Sequence, residues 1–456
     1  MISLSLIDHL VIFFYAIILL LIGFLAKKFL QPDRIDFLLA SRSLTIPLFV
    51  MTTVATWYGG ILGVGEFTFR YGLNAWIMQG LPYYIFAVLF AIFFSKKIRQ
   101  SKLITIPEKV ELAYDKRLSL LSSILLFVSV LPAPYALMVG IILELTLGIS
   151  LWFGILIGLF LSSIYLFYAG FRSNIFTDVY QFILMFIGFV ILFYFSFDKL
   201  GSFDYLKNNL ESKYLTPFAD IPLGYFIVWV LIGLWTFVDP GFHQRSYAAK
   251  DDKVAIYGIF ISIIFWFVFD FLTTITGLFS KAFLVNLANP LYSYPIYADK
   301  ILPPFYKGLF VSSLLATIIS TLNSYNFISA QTLGNDILSK LVGKNNYSVQ
   351  LVKISLVVTI LLSFLFAFLI PSVIDLWYAI GSLVIPGLLF LVVGSYYEKF
   401  KLSPKLTLMQ VISVTVISTI IYLLRTLKFW ETQIEPMIAG IVVGLLFQLS
   451  RLFLRK

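Results

Sequence analysis

The sequence predicts an all-α polytopic membrane protein of about thirteen transmembrane helices, and three observations support this. Hydrophobic residues make up 60% of the 456 residues and charged residues only 12%, which leaves too few charges to cover the surface of a soluble domain of this size. Apolar runs of about 20 residues recur along the chain and match the ~30 Å hydrocarbon layer of a bilayer. Such runs must be helical, because lipid cannot form hydrogen bonds with an exposed backbone.

The predicted spans are joined by connections too short to hold a soluble domain. We expect them, in order, at 7–26, 45–68, 74–95, 118–147, 150–170, 174–198, 222–244, 254–280, 307–339, 349–371, 373–397, 405–424 and 434–452.

The basic residues predict the orientation of the chain. With the N-terminus outside, most of the 33 Lys and Arg fall in inner loops, at 27–42, 96–117, 245–253, 340–353, 399–405 and 451–456. The positive-inside rule then predicts an outer N-terminus and a cytoplasmic C-terminus, and we expect the protein in the plasma (inner) membrane. Because topology explains the excess of basic residues, no nucleic-acid partner is expected. The absence of cysteine excludes a disulfide framework and a thiolate metal site.

Two predicted spans contain helix-breaking residues. The second holds Gly59-Gly60 and the seventh holds Pro240-Gly241, and both residue types weaken a helix interior. The breaks lie five spans apart, so the two helices run in opposite directions. This pattern indicates an inverted repeat of five plus five helices, with substrate and ions held at the paired breaks. A packing notch and a simple kink are the alternative interpretation.

This repeat divides the chain into four parts. Residues 1–44 form an extra N-terminal helix and the first inner loop, and 45–198 form the first five-helix repeat. Residues 199–397 form the second repeat with its outer loops, and 398–456 form two C-terminal helices.

The ninth span carries a stripe of hydroxyl groups. Ser313, Thr317, Ser320, Thr321 and Ser324 recur at intervals of three and four, which places them on one helix face. Such a stripe indicates either close helix packing with hydrogen bonds across the contact or an ion site built from uncharged oxygens. Backbone carbonyls of the broken second span would complete the ion site.

Several short motifs carry a resemblance to a known family. They are Ala40-Ser-Arg-Ser-Leu44, Ala55-Thr-Trp-Tyr-Gly-Gly60, Tyr168-Ala-Gly-Phe171 with Thr177-Asp-Val-Tyr-Gln181, Gln244-Arg-Ser-Tyr-Ala-Ala-Lys250, and Ala316-Thr-Ile-Ile-Ser-Thr-Leu-Asn-Ser324 with Asn335-Asp-Ile337. Taken in order, they resemble the sodium:solute symporter family, which has the LeuT-type fold with one extra N-terminal helix. The Ala-Thr-Trp and Gly-Gly of the second span, followed by Gly63 and Glu66, are locally similar to the choline-transporter branch.

The resemblance implies sodium-coupled symport of a small organic solute by alternating access. It implies a sodium (Na+) site made by the backbone carbonyls of Thr53, Thr56 and Thr317 and the hydroxyls of Ser320 and Thr321.

In some family members an aspartate corresponding to Asp178 joins a second ion site, here with Ser320, Asn323 and Ser324. Those members carry a hydroxyl after the aspartate, where this chain has Val179. An alternative for Asp178 is an ion pair with Arg172 or another inner basic residue.

The solute pocket is expected where the two broken helices face each other. One wall would consist of Trp57, Tyr58, Gly59 and Gly60, with Phe237 and Asp239 opposite. Trp57 and Asp239 together would suit an amine or quaternary ammonium group through cation–π attraction and charge pairing, although aromatic pockets also hold sugars and organic acids. The sequence leaves the role of Asp270 open and favours a packing role for His243.

Other functions remain as alternatives. A proton-coupled or uncoupled transporter of the same fold would use Asp178 as its proton carrier and the hydroxyl stripe as packing. A membrane-embedded enzyme would need His243 with Asp239 or Asp270, but no nucleophile or metal set accompanies them. A structural or sensor protein would be expected to carry a soluble domain. We therefore expect a transporter and not an enzyme.

Overall fold

The computed structural model describes residues 2–31, 33–219, 221–343, 348–370, 372–427 and 434–454. Within this part of the chain, twelve helical segments are long and apolar enough to cross a membrane, and a shorter apolar helix follows them. The segments are α1 (Leu6–Phe29), α2 (Ile46–Tyr71), α3 (Asn74–Ser101), α4 (Lys116–Leu147), α5 (Leu151–Ala169), α6 (Phe171–Leu200), α7 (Leu223–Ala248), α8 (Asp252–Phe283), α9 (Tyr306–Val342), α10 (Ser348–Leu369), α11 (Val373–Tyr396), α12 (Pro404–Thr426) and α13 (Pro436–Leu454). The all-helical fold class is confirmed.

Helix α9 lies at the centre of the bundle. It packs against α1, α2, α4, α5, α6 and α10, and its side chains from Phe310 to Gln331 are all buried. Close approach to α6 depends on small residues, since a Cβ atom at Gly188 would lie 1.9 Å from the Ser313 hydroxyl oxygen. The hydroxyl stripe of α9 therefore faces protein and not lipid.

The predicted break in α2 is present at the two glycines. The α-helix runs over Ile46–Trp57, tightens to a 3-10 turn at Tyr58–Gly60 and resumes as Ile61–Tyr71. A Cβ atom at Gly59 would lie 2.2 Å from Oγ1 of Thr321 on α9, so only glycine permits this contact. The break thus brings the α2 backbone against α9 at the depth of the hydroxyl stripe.

The break in α7 is also present, but it begins earlier than Pro240-Gly241. The α-helix ends at Ile232, a 3-10 turn covers Gly233–Phe237, and a new helix runs over Pro240–Ala248. Asp239 caps this inner helix by accepting a hydrogen bond from the Phe242 amide at 2.8 Å, and Pro240 takes the first helical position, where its missing N–H costs nothing. Proline and glycine therefore start a helix here and do not kink one.

We expect Gly59→Ala to destabilise the protein by about 1–3 kcal/mol, because the new methyl group overlaps Thr321 and forces α2 and α9 apart. Gly224→Ala is the matched control, since no atom lies within 4 Å of its added Cβ, and it should change stability by no more than about 0.5 kcal/mol. Thermal unfolding of both purified variants measures the difference. Equal midpoints would contradict the close α2–α9 contact.

Candidate functional site

Asp178 lies fully buried between α6, α2 and α9. Its Oδ1 atom accepts a hydrogen bond from the Ser320 hydroxyl at 2.6 Å. Its Oδ2 atom accepts hydrogen bonds from the Thr52 hydroxyl and, at 3.3 Å, from the Asn174 amide. A buried carboxylate inside a membrane is costly and usually functional, and this one is surrounded by the polar groups of three helices.

Arg245, on the inner half of α7, is the ion-pair partner of Asp178. Its Nη2 atom lies 3.5 Å from Asp178 Oδ2, and both side chains are buried. The sequence-based alternative for Asp178 is an ion pair with Arg172 or another inner basic residue. The pair with Arg172 is wrong, because Arg172 binds Asp36 at 2.5 Å, but Arg245, another of the basic residues predicted to lie inside, does pair with Asp178. Burial raises the pKa of the Asp36 carboxyl, but the hydrogen bonds from Arg172 and Ser41 outweigh this effect and hold the pKa below its ordinary value.

The structure brings α2 and α9 together at the sodium ligands implied by the resemblance. The Thr321 hydroxyl donates a hydrogen bond to the Thr56 carbonyl at 2.6 Å. The Thr53 hydroxyl is buried and has no hydrogen-bond partner in the described chain. The Thr317 hydroxyl donates to the Ser313 carbonyl of its own helix at 2.7 Å, so Thr317 would offer only its carbonyl. Neutral oxygens next to one carboxylate fit the preference of a hard cation.

The residues expected at a second ion site are only partly assembled. The Ser324 hydroxyl lies 2.9 Å from the Thr56 hydroxyl and accepts a hydrogen bond from Asn174 at 2.7 Å. Asn323 is buried, but its side chain forms no hydrogen bond with any described residue. Ser320 and Ser324 therefore join the Asp178 cluster, whereas Asn323 does not.

A large cavity opens beside the two breaks and extends toward the ends of α2, α3 and α7 that the sequence places outside. Trp57, Tyr58 and Gly60 contribute to its wall as predicted, whereas Gly59 faces Thr321 and does not line it. Other aromatic side chains of the wall are Trp76, Tyr83, Tyr84, Tyr135, Trp229, Trp235, Tyr325 and Trp377. Ten of the 26 residues that line the cavity are thus aromatic.

Asp270 of α8 is the acidic residue of this cavity wall, which contains no Lys or Arg in the described part of the chain. Its Oδ1 atom accepts a hydrogen bond from the Tyr58 hydroxyl at 3.0 Å, and its Oδ2 atom accepts one from Tyr84. Unlike Asp178 and Asp239, it keeps partial exposure. The sequence alone left the role of Asp270 open, because α8 carries no motif that shows which of its faces meets the cavity.

Asp239 and Phe237 lie behind the cavity wall. Asp239 Oδ2 accepts hydrogen bonds from the Trp235 indole at 2.6 Å and the Tyr325 hydroxyl at 2.8 Å, while Oδ1 serves as the helix cap. Neither Asp239 nor Phe237 lines the cavity. Asp239 therefore orients Trp235 and Tyr325, which do.

His243 has the packing role expected from the sequence. Its Nε2 atom lies 3.0 Å from the Phe237 carbonyl oxygen, and its ring contacts Phe90, Tyr247 and Tyr396. In the described residues, no group of three or more His, Cys, Asp or Glu side chains is arranged to hold a metal ion.

The end of the bundle that the sequence places inside is closed. Backbone hydrogen bonds link Leu44, which precedes α2, to Ala248 at 3.1 Å and Lys250 at 2.9 Å, at the end of α7. The Arg42 guanidinium donates to the carbonyls of Lys102, Leu103 and Tyr247 at 2.7–3.0 Å. These contacts join the inner ends of both broken helices, so the cavity is reached from the other side.

Comparison with known proteins places this arrangement in a family. The family model described as "Sodium:solute symporter family" matches residues 37–401. The chain belongs to the sodium:solute symporter family. The matched residues include both broken helices, α6, α8 and α9, so the resemblance carried by the short motifs is confirmed.

Relatives in this family transport different solutes. The chain is 26% identical over 441 residues to the sodium/pantothenate symporter of Escherichia coli, covering 90% of this chain and 88% of that protein. It is 24% identical to the high-affinity choline transporter 1 of Drosophila melanogaster, covering 82% of this chain and 64% of that protein. The family therefore rests on the family model, and the relatives' names give different solutes.

Solved structures confirm the fold. A Na+-coupled sialic acid symporter in a substrate-bound outward-open state superposes with a TM-score of 0.85 at 16% identity, covering 98% of both chains. The nucleobase-cation-symport-1 family transporter Mhp1, in a closed conformation, superposes with a TM-score of 0.57 at 13% identity, covering 93% of this chain and 95% of that chain. Both likenesses concern the fold alone, and they confirm the LeuT-type five-plus-five arrangement.

We expect Arg42→Ala to open the inner side more often, because three charge-assisted hydrogen bonds to carbonyls are lost. The chain has no cysteine, so a single cysteine at Thr332, which lines a small inner cavity, reports on this opening. Its alkylation rate should rise about tenfold, as expected for roughly 1.4 kcal/mol. Lys27→Ala, which removes an exposed charge predicted to lie inside, is the control. Equal alkylation rates in the two variants would show that Arg42 does not hold the inner side closed.

Proposed function

We propose that this protein is a secondary active transporter that couples sodium entry to the uptake of a small organic solute. The observation that carries the proposal is the junction of α2 and α9, where Thr321 donates to the carbonyl of Thr56 beside the helix break. Paired broken helices with free carbonyls are where transporters of this architecture hold ions. Family membership supports sodium as the ion.

The proposed sodium ligands are the carbonyls of Thr53, Thr56 and Thr317 and the hydroxyls of Ser320 and Thr321. Sodium binding would replace the hydrogen bond between Thr321 and Thr56, because both oxygens would then point at the same cation. The ion would hold α2 against α9 and fix the cavity wall at Trp57 and Tyr58.

The transport cycle would use this link between ion and cavity. Sodium and solute would enter from the outer side while the Arg42 contacts keep the inner side closed. Closure over the solute and release of the Arg42 contacts would then open the inner side. Each charge that crosses adds about 2.3 kcal/mol per 100 mV of membrane potential, which is the driving force for uptake.

We further propose that the solute carries a positive charge, as an amine or quaternary ammonium group. Asp270 supplies a carboxylate in the wall, and Trp57, Trp76 and Tyr84 supply aromatic faces around it. A desolvated cation on such faces gains about 2 kcal/mol or more in addition to the charge pair. This assigns the charge-pairing role to Asp270, whereas Asp239 would act through Trp235 and Tyr325.

The names of two relatives give two solutes of opposite charge to compare with this cavity. Their names include choline, which is cationic, and pantothenate, which carries a carboxylate. The described wall has no Lys or Arg to pair with a carboxylate, and the Asp270 carboxylate in it would repel one. The cavity therefore favours a choline-like charge over a pantothenate-like one.

Proton coupling is a second candidate, and the buried carboxylate of Asp178 is the observation that favours it. In that case uptake would follow pH and ignore sodium, and the hydroxyls of α9 would serve packing alone.

We expect Ser320→Ala and Thr321→Ala each to abolish sodium stimulation of uptake, because each removes a proposed ion ligand. Uptake into proteoliposomes, with sodium or potassium outside, measures the effect. Ser312→Ala is the matched control, since its hydroxyl is bonded to the Gly308 carbonyl of the same helix at 2.9 Å. Normal sodium dependence of uptake in both ligand variants would contradict the proposed sodium site. Uptake that follows pH and ignores sodium would instead support proton coupling.

We expect Asp270→Asn to weaken binding of a cationic solute by about 30-fold or more, because losing one partner of a buried charge pair typically costs about 2–5 kcal/mol and 1.4 kcal/mol is a factor of ten. Thermal unfolding across amines, amino acids, sugars and carboxylates, with sodium or potassium, identifies the solute class, since a ligand of the folded form raises the midpoint. Asp198→Asn at the exposed outer end of α6 is the control. If carboxylates stabilise the protein and Asp270→Asn leaves this unchanged, the cationic assignment is wrong.

A further inference from the structure

The guanidinium of Arg245 lies where a second cation would be expected beside Asp178. Its Nη2 atom is 3.5 Å from Asp178 Oδ2. The same nitrogen is 2.6 Å from the Thr56 hydroxyl oxygen, 3.0 Å from that of Ser324 and 3.1 Å from that of Thr52. We propose that Arg245 is a built-in cation that fills the second ion position, so that the transporter carries one sodium ion in each cycle. This inference rests on the proposed sodium coupling.

The number of oxygens around Nη2 supports this assignment. The nitrogen carries two hydrogens, yet one carboxylate and three hydroxyl oxygens lie within 3.5 Å of it. Four oxygens from three helices converging on one point resemble the shell of a cation more than a set of hydrogen-bond acceptors matched to two donors. Both the arginine and the aspartate side chains are buried, so little solvent is present to replace this shell.

The rest of the guanidinium is held weakly. Its Nη1 atom donates to the Gly241 carbonyl at 3.3 Å, and its Nε atom has no partner among the described residues. The ring of Phe171 lies 5.8 Å from the guanidinium carbon. The oxygen shell around Nη2 is therefore the main polar contact that positions this side chain.

The two oxygens of Asp178 face different partners. Oδ1 accepts the hydrogen bond from Ser320, a proposed ligand of the first sodium, whereas Oδ2 faces Arg245. A second sodium would share Oδ2 and the Ser324 hydroxyl with the guanidinium. A second sodium bound to these two oxygens would lie within a few ångströms of the guanidinium, and the two positive charges would repel each other strongly at low dielectric. The arginine and a second sodium therefore exclude each other.

The test counts sodium ions bound to the purified protein, by equilibrium binding of radioactive sodium at saturating concentration. Wild type should bind one ion per chain. Arg245→Gln should bind two, because the vacated shell keeps Asp178, Thr56 and Ser324. Adding Asp178→Asn to Arg245→Gln should return the count to one. The sodium Hill coefficient of uptake should follow the same order wherever the variant transports.

Two further variants make the result specific. Arg245→Lys keeps a positive charge in the shell and should still bind one ion. Arg172→Gln removes a guanidinium from the Asp36 pair, outside the site, and should also bind one. A rise in the count after Arg172→Gln would overturn the proposal, because loss of positive charge in general would then explain the effect.

Failure of this inference differs from failure of the proposed function. Two ions on the wild type, or one ion on a correctly folded Arg245→Gln, would overturn the role of Arg245 and leave sodium coupling intact. If Arg245→Gln does not fold, the counts for wild type and Arg245→Lys decide, and two ions on either overturn it. No sodium on the wild type would overturn the proposed coupling, and the inference with it.

Discussion

The contact between the broken backbone of α2 and the hydroxyl face of α9 is the constraint on which the site depends. Lipid cannot form hydrogen bonds, so a helix can be interrupted at membrane depth only where protein groups or a water-filled cavity satisfy its freed backbone groups. Here the Thr321 hydroxyl donates a hydrogen bond to the carbonyl oxygen of Thr56. Gly59 makes this close approach possible because it has no side chain. The same break turns Trp57, Tyr58 and Gly60 toward the cavity. One structural element thus carries both the proposed ion ligands and part of the cavity wall.

Asp178, Asp239 and Asp270 lie near the two helix breaks and differ in their partners. Asp178 is fully buried and balanced by Arg245, so its charge is already neutralised within the protein. Asp239 uses one oxygen to cap a helix and the other to accept hydrogen bonds from Trp235 and Tyr325. Among the described residues, the side chain of Asp270 accepts hydrogen bonds from two tyrosine hydroxyls and lines the cavity, which is why we propose it as the partner of a cationic solute. Burial alone would not separate these roles.

The contacts at Arg42 and Leu44 close the end of the bundle that the basic residues predict to be the inner one. Arg42 and the backbone bridge at Leu44 connect the inner ends of α2 and α7, the two broken helices of the repeats. Because both helices also shape the cavity, movement of their inner halves would alter the solute wall, the Asp178–Arg245 pair and the inner closure together. Alternating access requires that the cavity wall and the closed end change together, and the inner halves of α2 and α7 connect the two.

The sequence by itself determined the membrane class, the succession of apolar helices, the two breaks and the family, because hydropathy, Gly and Pro positions, and short motifs are local properties. It also placed Thr56, Ser320, Thr321 and Asp178 on elements that meet. Only the tertiary structure decided which acid faces the cavity and which base pairs with Asp178. Those outcomes depend on how α7 and α8 rotate against α2 and α9, and packing across the bundle sets that rotation.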